Sequence, residues 1–280
     1  MARASTLVKP ESAQVLRATV LRREHVSPSM VRVTAGGPEL EHLAALGFDQ
    51  WFRMFVPRPG QHEVRLPPDL GLRGYLRYST MPAATRPLLR NYTFRAIRPG
   101  EIDIDLVVHP AADPTAFSAA SWAQACEPGS PLGLLDEGIM FAPPPDHDAV
   151  LLVADESGLP AVAGVLASLP RDARGLALVE VPTPEDVQLL DAPDGVEVRW
   201  LHRDLTAHGP GAHDERAVPG RLALAAATSV TPPGGRPYAF VVGETGMTAA
   251  VRRHLMTAHA LPRSHVAFCG YWKHGARPQR

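Results

Sequence analysis

The stretch Arg90-Asn91-Tyr92-Thr93-Phe94-Arg95 holds residue types suited to binding a charged, planar ligand. On an extended strand Arg90, Tyr92 and Phe94 share one face, while Thr93 and Arg95 lie on the other. A guanidinium beside a tyrosine can pair a phosphate while the ring packs a planar heterocycle. A strand with solvated arginines and a core tyrosine accounts for the same spacing. Farther on, Ser118-Ala119-Ala120-Ser121-Trp122 places small residues at the start of a predicted helix. Free backbone N–H groups and the helix dipole there would suit a diphosphate. A plain N-cap is the commoner role for Ser118 or Ser121. Near the C-terminus Lys273 follows Tyr271-Trp272, and Lys9 is the only other lysine. A lone lysine in such a place is ordinarily solvated, yet its aromatic neighbours and its rarity single it out.

Two further turns, Asp155-Glu156-Ser157-Gly158 and Gly243-Glu244-Thr245-Gly246, each join a predicted strand to a predicted helix. Ordinary turn chemistry uses these residue types as well. No GxGxxG occurs, so no dinucleotide site can be argued from that fingerprint. Two cysteines, Cys126 and Cys269, provide neither a disulfide framework nor a four-cysteine iron–sulfur cluster, and neither has a CxxC partner. The twelve histidines form no HExxH or other recognisable metal set. A formal net charge of -1 removes the electrostatic reason to expect a nucleic-acid partner. Residues Met1 to Glu11 lack the apolar core of a signal peptide, and no apolar run approaches the roughly 20 residues needed to span a bilayer. A cytoplasmic location with no membrane partner is the expectation.

The elements that must position these residues change character along the 280-residue chain, which is long enough for two domains. Up to Phe141 the pattern is β-structure. Strands are predicted at Gln14–Arg23, Met30–Ala35, Trp51–Val56, Asn91–Ala96 and Glu101–Val108, with one short helix near Ser118–Ala125. In Glu101–Val108, Ile102, Ile104 and Leu106 alternate with Asp103, Asp105 and Val107, the period of a half-buried strand. Short strands with Pro/Gly turns favour a small antiparallel β barrel. Beyond the stiff Pro143-Pro144-Pro145-Asp146 linker, apolar runs at Ala149–Ala154, Leu176–Val181, Val196–Leu201, Ala239–Val242 and Val266–Cys269 alternate with helices. The helices are Leu159–Ser168, Pro219–Ala227 and Thr245–His259, a pattern for an α/β domain with a parallel sheet covered on both faces. The expected division is 1–145 and 146–280. Ligands of such sheets bind beyond the C-terminal strand ends.

Taken in order, the Arg-x-Tyr-Thr element, Ala119-Ala120-Ser121-Trp122-Ala123, Asp155-Glu156-Ser157-Gly158-Leu159-Pro160-Ala161 and the ending Gly270-Tyr271-Trp272-Lys273-His274-Gly275 resemble the siderophore-interacting protein family. These are ferric-siderophore reductases within the ferredoxin–NADP reductase superfamily. Glu180-Val181, Trp200-Leu201 and Gly243-Glu244 at later strand ends fit the same order, so the resemblance runs from about Gln14 to Gly275.

The resemblance implies an N-terminal FAD-binding barrel and a C-terminal NADH- or NADPH-binding α/β domain. Arg90, Tyr92 and Thr93 would hold the flavin and its phosphate, with His109 nearby, and Ser118 to Trp122 would meet the pyrophosphate. Asp155, Gly243 and Glu244 would stand in for the missing glycine fingerprint. Lys273, with Arg203 and Arg252 as helpers, would attract an anionic ferric siderophore. Glu180 would favour a ribose hydroxyl, or Arg203 a 2′-phosphate. At Phe117-Ser118 the chain departs from the Gly-Pro usual in the family, an exchange expected to crowd the diphosphate. Two rival readings share the fold: a flavin reductase serving a protein acceptor, and a non-catalytic siderophore carrier.

Overall fold

A computed structural model describes residues 8–10, 14–67, 72–108, 117–203 and 218–275. The chain forms two compact units, one of residues 8–46 and 50–139, the other of residues 47–49 with the described part of 140–275.

The first unit is a closed antiparallel barrel of six strands. They are β1 (Val15–Ser27), β2 (Met30–Gly36), β3 (Trp51–Val56), β4 (Leu88–Arg98), β5 (Glu101–Val107) and β6 (Pro131–Gly138), arranged β1-β2-β5-β4-β3-β6. Helix α1 (Leu72–Ser79) precedes β4, and α2 (Ala119–Ala125) lies against β2 and β5. Val33, Phe52, Ile102, Ile104 and Leu134 fill the interior, where the rings of Phe52 and Phe94 stack at 4.2 Å.

The alternation expected of β5 is present, with Ile102, Ile104 and Leu106 fully buried. Its outer face is not solvated, however: Asp103 and Asp105 are buried as well. Arg32 grips Asp105 through Nε and Nη2 at 2.7 and 2.8 Å, and Arg98 and Thr34 do the same for Asp103. Burial of a carboxylate is tolerable only with such partners.

Strand β6 and helix α1 were not expected. In β6, Leu132, Leu134 and Leu135 are buried together with Asp136 and Glu137, so no polar–apolar alternation marks the strand. Glu137 is held by Arg53 and Lys9, and Gly133 makes room for Leu66 where any side chain would collide.

The second unit is a five-stranded, wholly parallel sheet ordered β11-β10-β7-β8-β9. Its strands are β7 (Ala149–Ala154), β8 (Arg174–Val181), β9 (Gly195–His202), β10 (Pro237–Glu244) and β11 (Val266–Trp272). Helices α4 (Arg221–Ser229) and α5 (Thr245–Ala258) share one core with Leu151, Val153, Leu178 and Val241, while α3 (Leu159–Ser168) packs separately against β7. Residues 47–49 belong here because Asp49 accepts the N–H groups of Met140 and Phe141, Phe48 stacks on Phe141 at 5.3 Å, and Ser168 Oγ accepts the Phe48 N–H. Among the described residues no helix is long and apolar enough to cross a membrane.

Candidate functional site

The barrel carries the first candidate edge. Arg90 lies opposite Met54 and Tyr92 opposite Phe52, both core residues, while Thr93 lies opposite Trp51 on the other face. Tyr92 is half-buried against the barrel core, and desolvation drives its phenol upward against the opposing pull of Arg90. Thr93 is buried, and its hydroxyl makes no hydrogen bond among the described residues. A bulge between Phe94 and Ala96 lets Arg95 reach Asp105, the carboxylate already gripped by Arg32.

Phe117 and Ala120 pack on the same barrel core as Tyr92. Phe117 is half-buried and lies under the Arg58 guanidinium at 6.0 Å. Ser118 and Ser121 form a reciprocal capping box: Ser118 Oγ accepts the Ser121 N–H at 3.0 Å, and Ser121 Oγ accepts the Ser118 N–H at 2.8 Å. Both hydroxyls are thereby spent within the cap, and the serines' own N–H groups with them. The N–H groups of Ala119 and Ala120 remain as first-turn donors. Trp122 is buried in the barrel core, with 7% of its surface exposed. His109 lies outside the described residues.

The second edge is the C-terminal end of the parallel sheet. Strand order reverses between β7 and β10, and a crevice at such a reversal is where ligands of these sheets bind. Asp155 follows β7 and Gly243-Glu244 end β10, so the two turns singled out by sequence flank this point. Their carboxylates do not face it freely. Asp155 is fully buried and accepts the Ser157 hydroxyl at 2.5 Å, the Glu244 N–H at 2.7 Å and the Trp272 indole N–H at 3.1 Å. Burial, and secondarily repulsion from Glu156, push its carboxyl up to about 6. Gly243 has φ of +133°, and a Cβ there would sit 2.7 Å from the Asp155 carboxylate. Glycine is what lets that carboxylate cross the backbone. Glu244 caps α5 by accepting the Met247 N–H at 2.8 Å, and its other oxygen accepts the His274 N–H at 3.2 Å. Hydrogen bonds within the protein already engage both carboxylates.

Arg203 is engaged too. Its side chain is 2% exposed and is clamped by Glu156 through two contacts of 2.7 Å and by Glu180 through a third of 2.7 Å. Burial alone would lower the guanidinium, but the hydrogen bonds and charges of Glu156 and Glu180 outweigh it and hold the group raised. Such an arginine faces neither a substrate nor a 2′-phosphate. Glu180 is equally committed, capping the start of α4 through the Gly220 and Ala223 N–H groups at 2.8 Å each. Arg252 is half-buried with its guanidinium 4.4 Å over the Phe268 ring. Lys273 alone of the expected substrate residues is exposed and has no ion pair among the described residues.

Sequence reasoning missed two roles at this edge, the Glu156–Arg203–Glu180 clamp and the indole of Trp272 as a donor to Asp155. Acids at the ends of β7 and β8 with an arginine just past β9 were a readable sign of the clamp, since parallel neighbours align their ends. The indole contact had no such sign. Among the described residues no group of His, Cys, Asp or Glu converges as a metal site.

Comparison with known proteins matches both units. The family described as siderophore-interacting FAD-binding domain matches residues 19–139, and the family described as siderophore-interacting protein matches residues 147–275. An NADPH-dependent ferric-chelate reductase of Escherichia coli is 30% identical over 259 residues, 91% of either chain. A ferric vibriobactin reductase of Vibrio cholerae is 29% identical over 261 residues, covering 91% of this chain and 88% of its own. The solved structure of a siderophore utilization protein from T. fusca superposes with a TM-score of 0.78 at 29% identity over 98% of both chains. Matched along both units and by full-length relatives, the chain belongs to the siderophore-interacting protein family.

Proposed function

We propose that this protein is an FAD-containing reductase that takes electrons from NADH or NADPH and delivers them to the iron of a ferric siderophore. One observation carries the reading: a relative named for ferric-chelate reduction covers 91% of this chain, both units included. The donor set of the barrel edge fits FAD. Arg90 supplies a cation for phosphate, Tyr92 an aromatic ring, Thr93 an uncommitted hydroxyl, and Ala119 and Ala120 the free N–H groups of the α2 first turn. When bound, FAD supplies the conversion of a two-electron hydride into single electrons. The chain's own work is positional. Phe117 turns its ring onto the barrel core, which supports an α2 start left open despite the missing Gly-Pro.

At the parallel sheet, the backbone of Ser157-Gly158 and Gly243 to Gly246 is the ground proposed for the nicotinamide nucleotide, with Asp155 and Glu244 holding that backbone in shape. Lys273 supplies an exposed point charge for an anionic chelate. No proton-transfer residue is required, since iron gains only an electron. Fe²⁺ binds hard oxygen donors more weakly than Fe³⁺, so reduction loosens the chelate.

Anaerobic addition of NADH or NADPH to flavin-loaded protein should bleach the flavin. A ferric siderophore added next should restore the colour and release iron to a ferrous-specific indicator. Bleaching by dithionite but by neither nucleotide sinks the reading of the α/β unit, and failure of the chelate to reoxidise the flavin sinks the substrate.

A further inference from the structure

Strand β11 pairs with β10 in parallel register until Gly243 faces Gly270; then Glu244 faces Trp272, and Tyr271 is left over. This one-residue bulge shifts the parity of everything that follows, because alternate residues of a strand point to opposite faces. Without it Tyr271 would stand where Trp272 stands, and Lys273 would take the face that Trp272 now occupies. With it the Trp272 indole reaches the buried Asp155 carboxylate at 3.1 Å, and Lys273 is turned out to solvent.

Further ties hold the chain at this exit. Thr245 Oγ1 donates to the Trp272 carbonyl at 2.6 Å, and the His274 N–H donates to Glu244 Oε1 at 3.2 Å. Lys273 thus sits between two residues pinned to the strand-end turns, while its own side chain has no ion pair among the described residues. A charge that is to meet a soluble chelate gains from this, because a fixed backbone confines the volume the ammonium samples.

We propose that Asp155, acting through the Trp272 indole, is a positioning residue that fixes the direction of Lys273 toward the ferric chelate. The inference rests on the reading of Lys273 as the chelate-attracting cation and goes beyond it by assigning what aims that cation.

The test is steady-state reduction, by the flavin-loaded full chain, of one anionic and one neutral ferric chelate at low salt. Trp272→Phe keeps an aromatic ring and deletes the indole N–H together with part of the fused ring. It should raise KM for the anionic chelate about three- to fivefold, the scale of an exposed charge interaction. The neutral chelate and the rate of flavin bleaching by nicotinamide should be unchanged. In a Lys273→Ala background the same substitution should add nothing, since there is no longer a charge to aim. An equal rise for both chelates, or a rise that adds fully to that of Lys273→Ala, overturns the inference and leaves Trp272 a packing residue. If Lys273→Ala raises KM while Trp272→Phe is silent, positioning fails and the Lys273 reading stands. If Lys273→Ala itself is silent, both fall. Should Trp272→Phe lose its flavin or its melting transition, Trp272→Leu, which also lacks the indole N–H at this half-buried position, faces the same criteria.

Discussion

Replacing Arg203 by methionine tests most directly how the sheet edge is held together. Methionine keeps much of the aliphatic volume and removes the charge. Arg203 now makes three contacts of 2.7 Å to carboxylates whose side chains are 1% and 0% exposed. Without the guanidinium both carboxylates stay buried with no counter-ion. Removing one partner of a buried pair costs about 3–5 kcal/mol. Glu180 retains the Gly220 and Ala223 N–H groups, which argues for the lower end, about 3 kcal/mol. The deficit should also depend on pH. Buried carboxylates without a cation take up protons to shed their charge. The folded variant then binds protons that the unfolded chain leaves in solution, so its stability rises relative to the parent as pH falls. Urea unfolding followed by tryptophan fluorescence at pH 8 and pH 5.5 reads both effects. A deficit under about 1 kcal/mol at pH 8, or one that widens on acidification, refutes the clamp as the main role of Arg203. So does a stable variant whose only fault is a raised KM for the ferric chelate, since that would restore Arg203 to the substrate.

Two other expectations follow from the same geometry. Arg90→Ala should weaken FAD binding by about 1.5–3 kcal/mol, roughly ten- to hundredfold, through loss of a charge-assisted phosphate contact. Full flavin occupancy after gel filtration at high dilution would show that Arg90 holds no phosphate. Asp155, with its carboxyl at about 6 in the fold, binds a proton more tightly in the folded than in the unfolded chain. On its account stability is greatest below about pH 4 and declines as pH rises through 6, by about 1 kcal/mol between pH 5 and 7. Against Asp155→Asn, the parent should lose that much more stability over this interval; parallel pH profiles would mean the carboxyl titrates normally.

How far the molecule was legible beforehand depended on whether its polar residues face water. Strands β7, β8 and β10 of the parallel sheet were readable because both faces are covered and the runs are almost continuously apolar. Strand β6 was not, for the opposite reason: Asp136 and Glu137 look like the polar end of a loop, and Arg53, Lys9, Gln50 and the Gly138 N–H make them tolerable where they are buried. Arg203 misled in the same way. An arginine after a strand reads as a surface charge until Glu156 and Glu180, 47 and 23 residues away, are seen to enclose it. The turns at Asp155 and Gly243 were located by their residue types, but what their side chains do depends on pairing across the strand-order reversal. That pairing is a property of topology, which local spacing does not encode.

The short segment Gly47–Asp49 bears on how the chain can be divided or recombined. Its residues come from the stretch that builds the barrel, yet their partners Met140, Phe141 and Ser168 lie in the α/β unit. A cut at the proline linker therefore yields a C-terminal fragment lacking both this segment and Met140 to Ala142, which belong to the same fold. Tyr238 and Phe240 would lose the Phe141 ring packed against them, and the Ser168 hydroxyl would lose the Phe48 N–H. Gly164 records the same dependence on the helix side, where any side chain would run into the Phe48 carbonyl. The two units are thus compact without being modular: a graft of the α/β half onto another barrel must carry a matching Gly-Phe-Asp turn, supplied from a stretch nearly a hundred residues upstream of the Met140–Phe141 pair it serves.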